Sequence, residues 1–201
     1  MTELVLATKN RGKLRELSEL LAGAGLKISA LDDHPEVPEI VEDGATFLEN
    51  AAKKARTVAG VIKGWVLADD SGLVVEALGG EPGVHSARYA GSQGDTKANN
   101  AKLLSEMRGV PDDRRGAAFV CSMVLISPGG REWSVEGRCE GKIGMSPRGG
   151  GGFGFDPLFV VDGENLTMAE LPPGKKNEIS HRGRALRQIK DVLLAAMKEG
   201  R

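Results

Sequence analysis

Apolar positions along the chain repeat with two different periods, and the alternation between them predicts the elements. Leu4 to Ala7 form a short apolar run, and from Gly12 onward Leu14, Leu17, Leu20 and Leu21 recur at helical spacing until Gly23 and Gly25. This is a strand, a loop and a helix. A second strand, Leu26 to Leu31, leads through the acidic loop DDHPEVPEIVEDG to a helix whose apolar face is Phe47, Leu48, Ala51, Ala55, Val58 and Ala59. Asn50 and Lys54 mark the opposite face. Trp65 to Ala68 predicts a third strand that ends in Asp69, Asp70, Ser71 and Gly72. Its C-terminal end is therefore polar, where open α/β sheets tend to bind ligands.

After the glycine-rich segment ALGGEPGVHSARYAG the pattern predicts a helix from about Asp95 to Arg108. Ala117 to Ser127 and Arg131 to Cys139 alternate as two strands joined by Pro128-Gly129-Gly130, a long antiparallel hairpin. Phe155 to Val161 reads as a further strand. A last helix spans Glu178 to Lys198, with Ile179, Leu186, Ile189, Val192, Leu193 and Ala196 facing inward. The order of elements predicts an α/β fold in a single domain, residues 1–201.

Composition narrows what such a domain can do. A chain of 201 residues with 40% hydrophobic content can bury a full core. Lys and Arg number 27 against 28 Asp and Glu, a net charge of -1, so the positive footprint of a nucleic-acid binder is missing. A small phosphorylated ligand needs only a few placed donors and remains compatible. Cys121 and Cys139 lack CxxC spacing and read as buried thiols. MTELVLATKNRGK lacks a signal-peptide pattern and no segment reaches the ~20 apolar residues of a membrane span, so the expectation is a cytoplasmic protein with no membrane partner.

Three polar groupings carry candidate chemistry. Thr8, Lys9, Asn10, Arg11, Gly12 and Lys13 lie between a strand and a helix, where backbone N–H groups and side-chain donors together suit a phosphate. An ordinary strand-to-helix loop fits the same residues, and the stretch is not a Walker loop, since position 14 is Leu. Glu42, Asp43, Asp69 and Asp70 come from two loops and suit Mg²⁺, which takes one or two carboxylates along with ligand phosphates. Helix capping by Asp43 and a turn at Asp69 to Gly72 are the plainer alternative. Lys175, Lys176, His181 and Arg182 gather at the last helix, where a phosphate, sugar or ring carbonyl could meet them, although a lone histidine there also serves structure. His34 and His85 have no partner at ligand spacing and read as loop residues.

The stretch RGGGGFGFDP, residues 148–157, asks why four glycines precede two aromatics and an acid. Glycine loses the most backbone freedom on ordering, so the run implies close approach of something to the chain. If a base stacks there, Phe153 or Phe155 is the platform and Asp156 fixes polar contacts. In a regular strand, residues two apart would share one face and both rings would instead be core.

Taken in order, TKNRGK, TFLENAAKKA, LADDSGL, ALGGEPGVHSARY, GGFGFDPLF and KNEISHRGRAL resemble the inosine-triphosphatase family, the non-canonical purine nucleoside triphosphate pyrophosphatases. Six ordered blocks cover nearly the whole chain. The resemblance implies an elongated mixed sheet with flanking helices, two lobes around a central substrate cleft, and a homodimer. It implies Mg²⁺-dependent hydrolysis of ITP, XTP and dITP to the monophosphate and pyrophosphate. It implies that residues Thr8 to Lys13 form the phosphate loop, that Glu42 and Asp70 bind metal, and that Asp70 is the catalytic acid. Lys54 and Ser71 would contact substrate, with Arg88 a further phosphate ligand. Phe153, Gly154, Phe155, Asp156, Lys176, His181 and Arg182 would form the nucleoside pocket, Phe153 stacking on the base. Phe155 stands where the family usually has Tyr or Trp, which removes one possible hydrogen-bond donor. The alternatives are a Maf-like nucleotide pyrophosphatase, whose opening resembles L-A-S-x-S-x-R-R rather than LATKNRGK, and a nucleotide-binding module without catalysis.

Overall fold

A computed structural model describes residues 2–199. Six strands, β1 (Thr2–Leu6), β2 (Leu26–Ala30), β3 (Trp65–Val75), β4 (Gly116–Ile126), β5 (Glu132–Ile143) and β6 (Phe159–Val161), form one sheet in the order β2-β1-β3-β4-β5-β6. β1 pairs in parallel with β2 and β3, whereas β6 runs antiparallel to β5, so the sheet is mixed. The helices are α1 (Arg11–Leu21), α2 (Phe47–Val61), α3 (Thr96–Glu106), α4 (Pro173–Ile179) and α5 (His181–Glu199). The α/β class predicted from the apolar pattern is the class observed.

Local chemistry sets where the helices start. The Asn10 side chain accepts from the N–H groups of Gly12 and Lys13, at 2.9 and 3.1 Å, and α1 begins at once. Thr46 Oγ1 accepts from Glu49 N, and Glu49 reaches back to Ala45 N, which starts α2. Asp43, expected as a possible cap, is instead exposed and paired with Lys53.

The chain divides into two compact units. Met1–Asp70, Cys121–Gly137 and Arg182–Arg201 make unit 1, and Ser71–Val120 with Arg138–His181 make unit 2. In unit 1 the strands are covered on both faces. Leu4, Leu6, Trp65, Leu67, Cys121 and Met123 pack with Leu17 of α1 and Leu186 and Ile189 of α5. The alternate residues Val5, Ala7, Val66, Ala68 and Val124 pack with Ala51, Ala55 and Val58 of α2. Burial on both faces is why these strands read as continuous apolar runs rather than as alternation. Unit 2 has its own core of Leu73, Val75, Leu103, Met107, Phe119, Phe155 and Phe159. Buried Arg115 ties it together by donating to the carbonyls of Met107, Ile143 and Gly144.

Three boundaries differ from the sequence pattern. β3 does not stop at Ala68 but runs through Asp69-Asp70-Ser71-Gly72 to Val75, because each acid finds buried cationic or amide partners and the apolar pattern resumes at Leu73. The last helix is two: Ser180 leaves the helical region at ψ 155°, which puts Ile179 against the unit 2 core and Leu186 in unit 1. Phe153 and Phe155 are not in a strand, since Gly152 and Gly154 have φ of 73° and 61° and β6 starts only at Phe159.

Candidate active site

The pleat of β3 sends its two acids to opposite faces. Asp69 continues the face of Trp65 and Leu67, toward α1 and α5, and Asp70 continues that of Val66 and Ala68, toward α2. Asp69 Oδ2 lies 2.9 Å from Lys13 Nζ of α1 and 3.5 Å from Arg182 Nε of α5. Burial alone would raise its pKa, but Lys13, Arg182 and Lys54 outweigh it and hold the carboxyl well below the usual range. Asp70 has a different setting. Asn50 Nδ2 donates to its Oδ2 at 3.0 Å, and Lys54 Nζ stands 3.9 Å from its Oδ1. Here burial prevails over Lys54, Lys13 and the Asn50 bond, and the carboxyl is raised.

Lys54 also donates to Glu42 Oε2 at 2.7 Å, so one buried ammonium joins the two acids that the resemblance assigns to metal. Burial pushes this ammonium down, but Asp70, Asp69 and Glu42 more than compensate and its pKa is raised. Lys54 is therefore a fixed positive charge. Asn50, one turn before Lys54, is a site-building residue that the sequence reading left without a role; the i, i+4 spacing on the polar face of α2 is the signal for it.

In the loop between β1 and α1, Thr8 is buried, and its Oγ1 accepts from Asn10 N at 3.2 Å. Lys9, Asn10 and Arg11 are exposed, and Gly12 and Lys13 half-buried. The expectation that helix N–H groups stand ready for a phosphate is corrected in part: those of Gly12 and Lys13 are taken by the Asn10 side chain.

Unit 2 holds a second cluster, built on the glycine-rich turn. Asp156 Oδ2 accepts from Phe153 N at 2.9 Å and from Lys176 Nζ at 2.8 Å, and Lys176 Nζ sits 5.2 Å from the centre of the Phe153 ring. A Cβ on Gly152 would fall 2.0 Å from that same Asp156 oxygen, so the close approach implied by the glycines is of the chain to its own aspartate. Phe155 is buried edge-on to Tyr89, whereas Phe153 is only half-buried. The turn thus separates the two rings. Buried His181 stacks on Phe119 at 4.8 Å.

Arg182 follows His181 in sequence, and its guanidinium has Nη1 2.6 Å from Glu16 Oε2 and Nε facing Asp69, within unit 1. Glu16, unremarked in the sequence, is the buried acid of α1 that receives it. Lys175 pairs with Glu164 away from Lys176's partners. Ser71 opens the unit 2 part of β3, and Arg88 ends a 3₁₀ turn, Gly83–Arg88; both are half-buried. His34 bonds Ser29 and Glu36, and Cys121 and Cys139 are buried free thiols as expected.

Comparison with known proteins gives these clusters their context. The family model described as Ham1 family matches residues 4–192. The dITP/XTP pyrophosphatase of Geobacter sulfurreducens is 55% identical, covering 96% of this chain and 97% of its own. That of Shouchella clausii is 52% identical over 96% of this chain and 97% of its own. Among solved structures, a HAM1 protein from Coxiella burnetii superposes with TM-score 0.85 at 42% identity, covering 96% of this chain and 98% of that one. The Staphylococcus aureus Ham1 protein gives TM-score 0.87 at 35% identity, over 97% and 100%. The resemblance carried by the six sequence blocks is therefore borne out across nearly the full length, and the chain belongs to the Ham1 family.

Proposed function

We propose that this chain is a Mg²⁺-dependent hydrolase that cleaves ITP, dITP and XTP between the α and β phosphates, releasing the monophosphate and pyrophosphate and so clearing such nucleotides from the pool. The observation that carries this reading is the unequal setting of two adjacent acids. Asp69 is engaged by Lys13 and Arg182, while Asp70 is held beside Asn50 and Lys54 with its proton affinity raised by burial. The names of the relatives, dITP/XTP pyrophosphatase, supply the substrate class.

The donor set fits Mg²⁺. Glu42 and Asp70 both lie on Lys54, and two carboxylates with phosphate oxygens and water are what this ion usually takes. When bound, Mg²⁺ supplies neutralisation of the triphosphate charge. Asp70 takes the proton of the water that attacks the α-phosphorus in line with the departing pyrophosphate. Lys13 and Lys54 stabilise that leaving group. Thr8, Lys9, Asn10, Arg11 and Gly12 complete the phosphate contacts, with Ser71 beside the reacting group. No residue of the chain forms a covalent intermediate in this scheme.

In unit 2, Phe153 stacks on the base, Gly154, Phe155 and Asp156 shape the turn around it, and Lys176 and His181 donate to its edge. Inosine and xanthine carry a carbonyl at ring position 6 that accepts such a donor, whereas adenine carries an amine. A site built on hydrogen bonds discriminates by as much as ~10⁴. Arg182 serves from unit 1, as counter-ion to Glu16 and Asp69. The catalytic unit is the single domain of residues 1–201, acting in the cytoplasm on free nucleotides as a homodimer. Among the described residues no helix is long and apolar enough to cross a membrane.

The test is incubation with ITP, dITP, XTP, GTP and ATP in Mg²⁺, scoring pyrophosphate against orthophosphate. Pyrophosphate from the first three and little from ATP is the expected result. Orthophosphate release, or uniform turnover of all five, contradicts it and favours another nucleotide hydrolase. Binding without turnover would make the chain a nucleotide-binding module. A monomer mass by light scattering at micromolar concentration would remove the homodimer.

A further inference from the structure

Helix α3 carries two consecutive asparagines, Asn99 and Asn100, although asparagine is a poor helix former and competes for local backbone bonds. Both are explained by bonds outside the helix. Asn99, buried, accepts from Ala90 N at 2.7 Å and donates to Ala87 O at 3.3 Å, which fixes the segment before α3. Asn100 reaches elsewhere: its Nδ2 donates to Gly154 O at 3.1 Å, across 54 residues of sequence.

Gly154 is the apex of the turn that carries Phe153. With φ of 61° it adopts a left-handed conformation, and the side chain of Asp156 closes the turn from within by accepting from Phe153 N. Asp156 N also donates to Phe153 O, at 3.2 Å. These bonds fix the ends of the turn, and Leu158 N and Phe159 N hold Phe155 O beyond it. Asn100 holds the carbonyl at the turn's apex. A trans peptide directs its carbonyl and its following N–H in opposite directions, so pinning Gly154 O toward α3 also fixes where Phe155 N–H points. Two further contacts brace the same side: Lys102 of α3 donates to Tyr89 O at 2.9 Å and lies over the Tyr89 ring, and that ring packs edge-on to Phe155. Asn100 Oδ1 is buried with no hydrogen-bond partner among the described residues, a cost accepted for the sake of the Nδ2 bond.

We propose that Asn100 is a positioning residue for base recognition, holding the Phe153–Asp156 turn in the orientation that receives a purine. It touches no reacting atom and acts through Gly154. This rests on the reading of unit 2 as the nucleoside-binding part. The consequence is a split in kinetics: removal of the bond weakens binding of base-bearing ligands and leaves the chemistry at Asp70 alone.

The decisive variant is Asn100→Asp, which keeps the size and turns the donor into an acceptor facing Gly154 O. Asn100→Ala removes the group, and Asn100→Gln keeps an amide donor. With ITP and Mg²⁺, KM is expected to rise about fivefold to tenfold in the first two variants, with kcat within about twofold, and to recover partly in Asn100→Gln. Inhibition by inorganic tripolyphosphate, which has no base, is expected to be unchanged in all three. A KM for ITP that stays at the wild-type value in both Asn100→Asp and Asn100→Ala overturns the proposal. So does a parallel rise in KM and in the tripolyphosphate inhibition constant, which would mark a general structural defect. Wild-type protein that releases no pyrophosphate from ITP is a separate result, overturning the proposed function and this role with it.

Discussion

Lys13 Nζ lies 2.9 Å from Asp69 Oδ2, and that same carboxylate oxygen faces Arg182 Nε at 3.5 Å. The acid next to the proposed base is thus a fixed anion binding α1 and α5 to β3. Asp69→Asn is expected to lower stability by about 1–3 kcal/mol at pH 7, because it removes the carboxylate that pairs with Lys13 and faces Arg182, while Arg182 keeps Glu16. The folded carboxyl titrates below its unfolded value, so its contribution is complete above about pH 4 and is lost as pH falls toward the folded pKa. Urea midpoints of wild type and variant should therefore converge at low pH. A gap that widens in acid contradicts the ion-pair account.

Arg182 and Glu16 form the other end of the same buried network. Arg182→Ala should destabilise by about 3–5 kcal/mol, and a double-mutant cycle with Glu16→Gln should show a coupling of about 0.5–3 kcal/mol. Denaturation of the four proteins checks this. If Arg182→Ala instead kept its stability and lost activity on ITP far more than on ATP, the side chain would be reading the base.

What the sequence revealed and what it hid divide along physical lines. β1, α1, α2 and α3 were legible from their apolar runs and periods, whereas the residues that cap the helices, Asn10, Thr46 and Asp95, became plain only from their bonds. β3 was cut short because charge inside a strand reads as a loop until its partners are known, and Lys13 and Arg182 lie far from Asp69 in sequence. The break at Ser180 was invisible because the apolar spacing continues across it; only two separate cores, one holding Ile179 and one Leu186, distinguish the helices. The long-range bonds among the candidate residues were not legible, since no local rule links Arg182 to Glu16 or Asn100 to Gly154.

Gly152 is needed for both its conformation and its space. Gly152→Ala faces a left-handed backbone, a cost of about 1–2 kcal/mol, and a Cβ placed 2.0 Å from Asp156 Oδ2. Displacing Asp156 releases both Lys176 and Phe153 N. The expected outcome is a raised KM for ITP larger than any change in kcat, read from steady-state kinetics. Wild-type KM in a folded variant would mean that the turn does not shape the nucleoside site.

Cys121 should be chemically silent in the native protein. Burial, with Asp69 adding to it, pushes its thiol up to about 12, and Cys139 is buried too. Iodoacetamide at pH 8 should label neither in native protein and both in urea, as counted by mass spectrometry. Rapid native labelling of Cys121 would show that its surroundings open readily.

The proposed chemistry turns on Asp70. Its carboxyl, held by Asn50 beside Lys54, is the proposed acceptor of the attacking water's proton. Asp70→Asn keeps the shape and the Asn50 neighbour but cannot accept that proton. Pyrophosphate release from ITP in Mg²⁺, measured for wild type and Asp70→Asn at matched thermal stability, tests the account most directly. A loss of about 10²–10⁴-fold in kcat is the predicted result; near wild-type pyrophosphate release by the variant would contradict it.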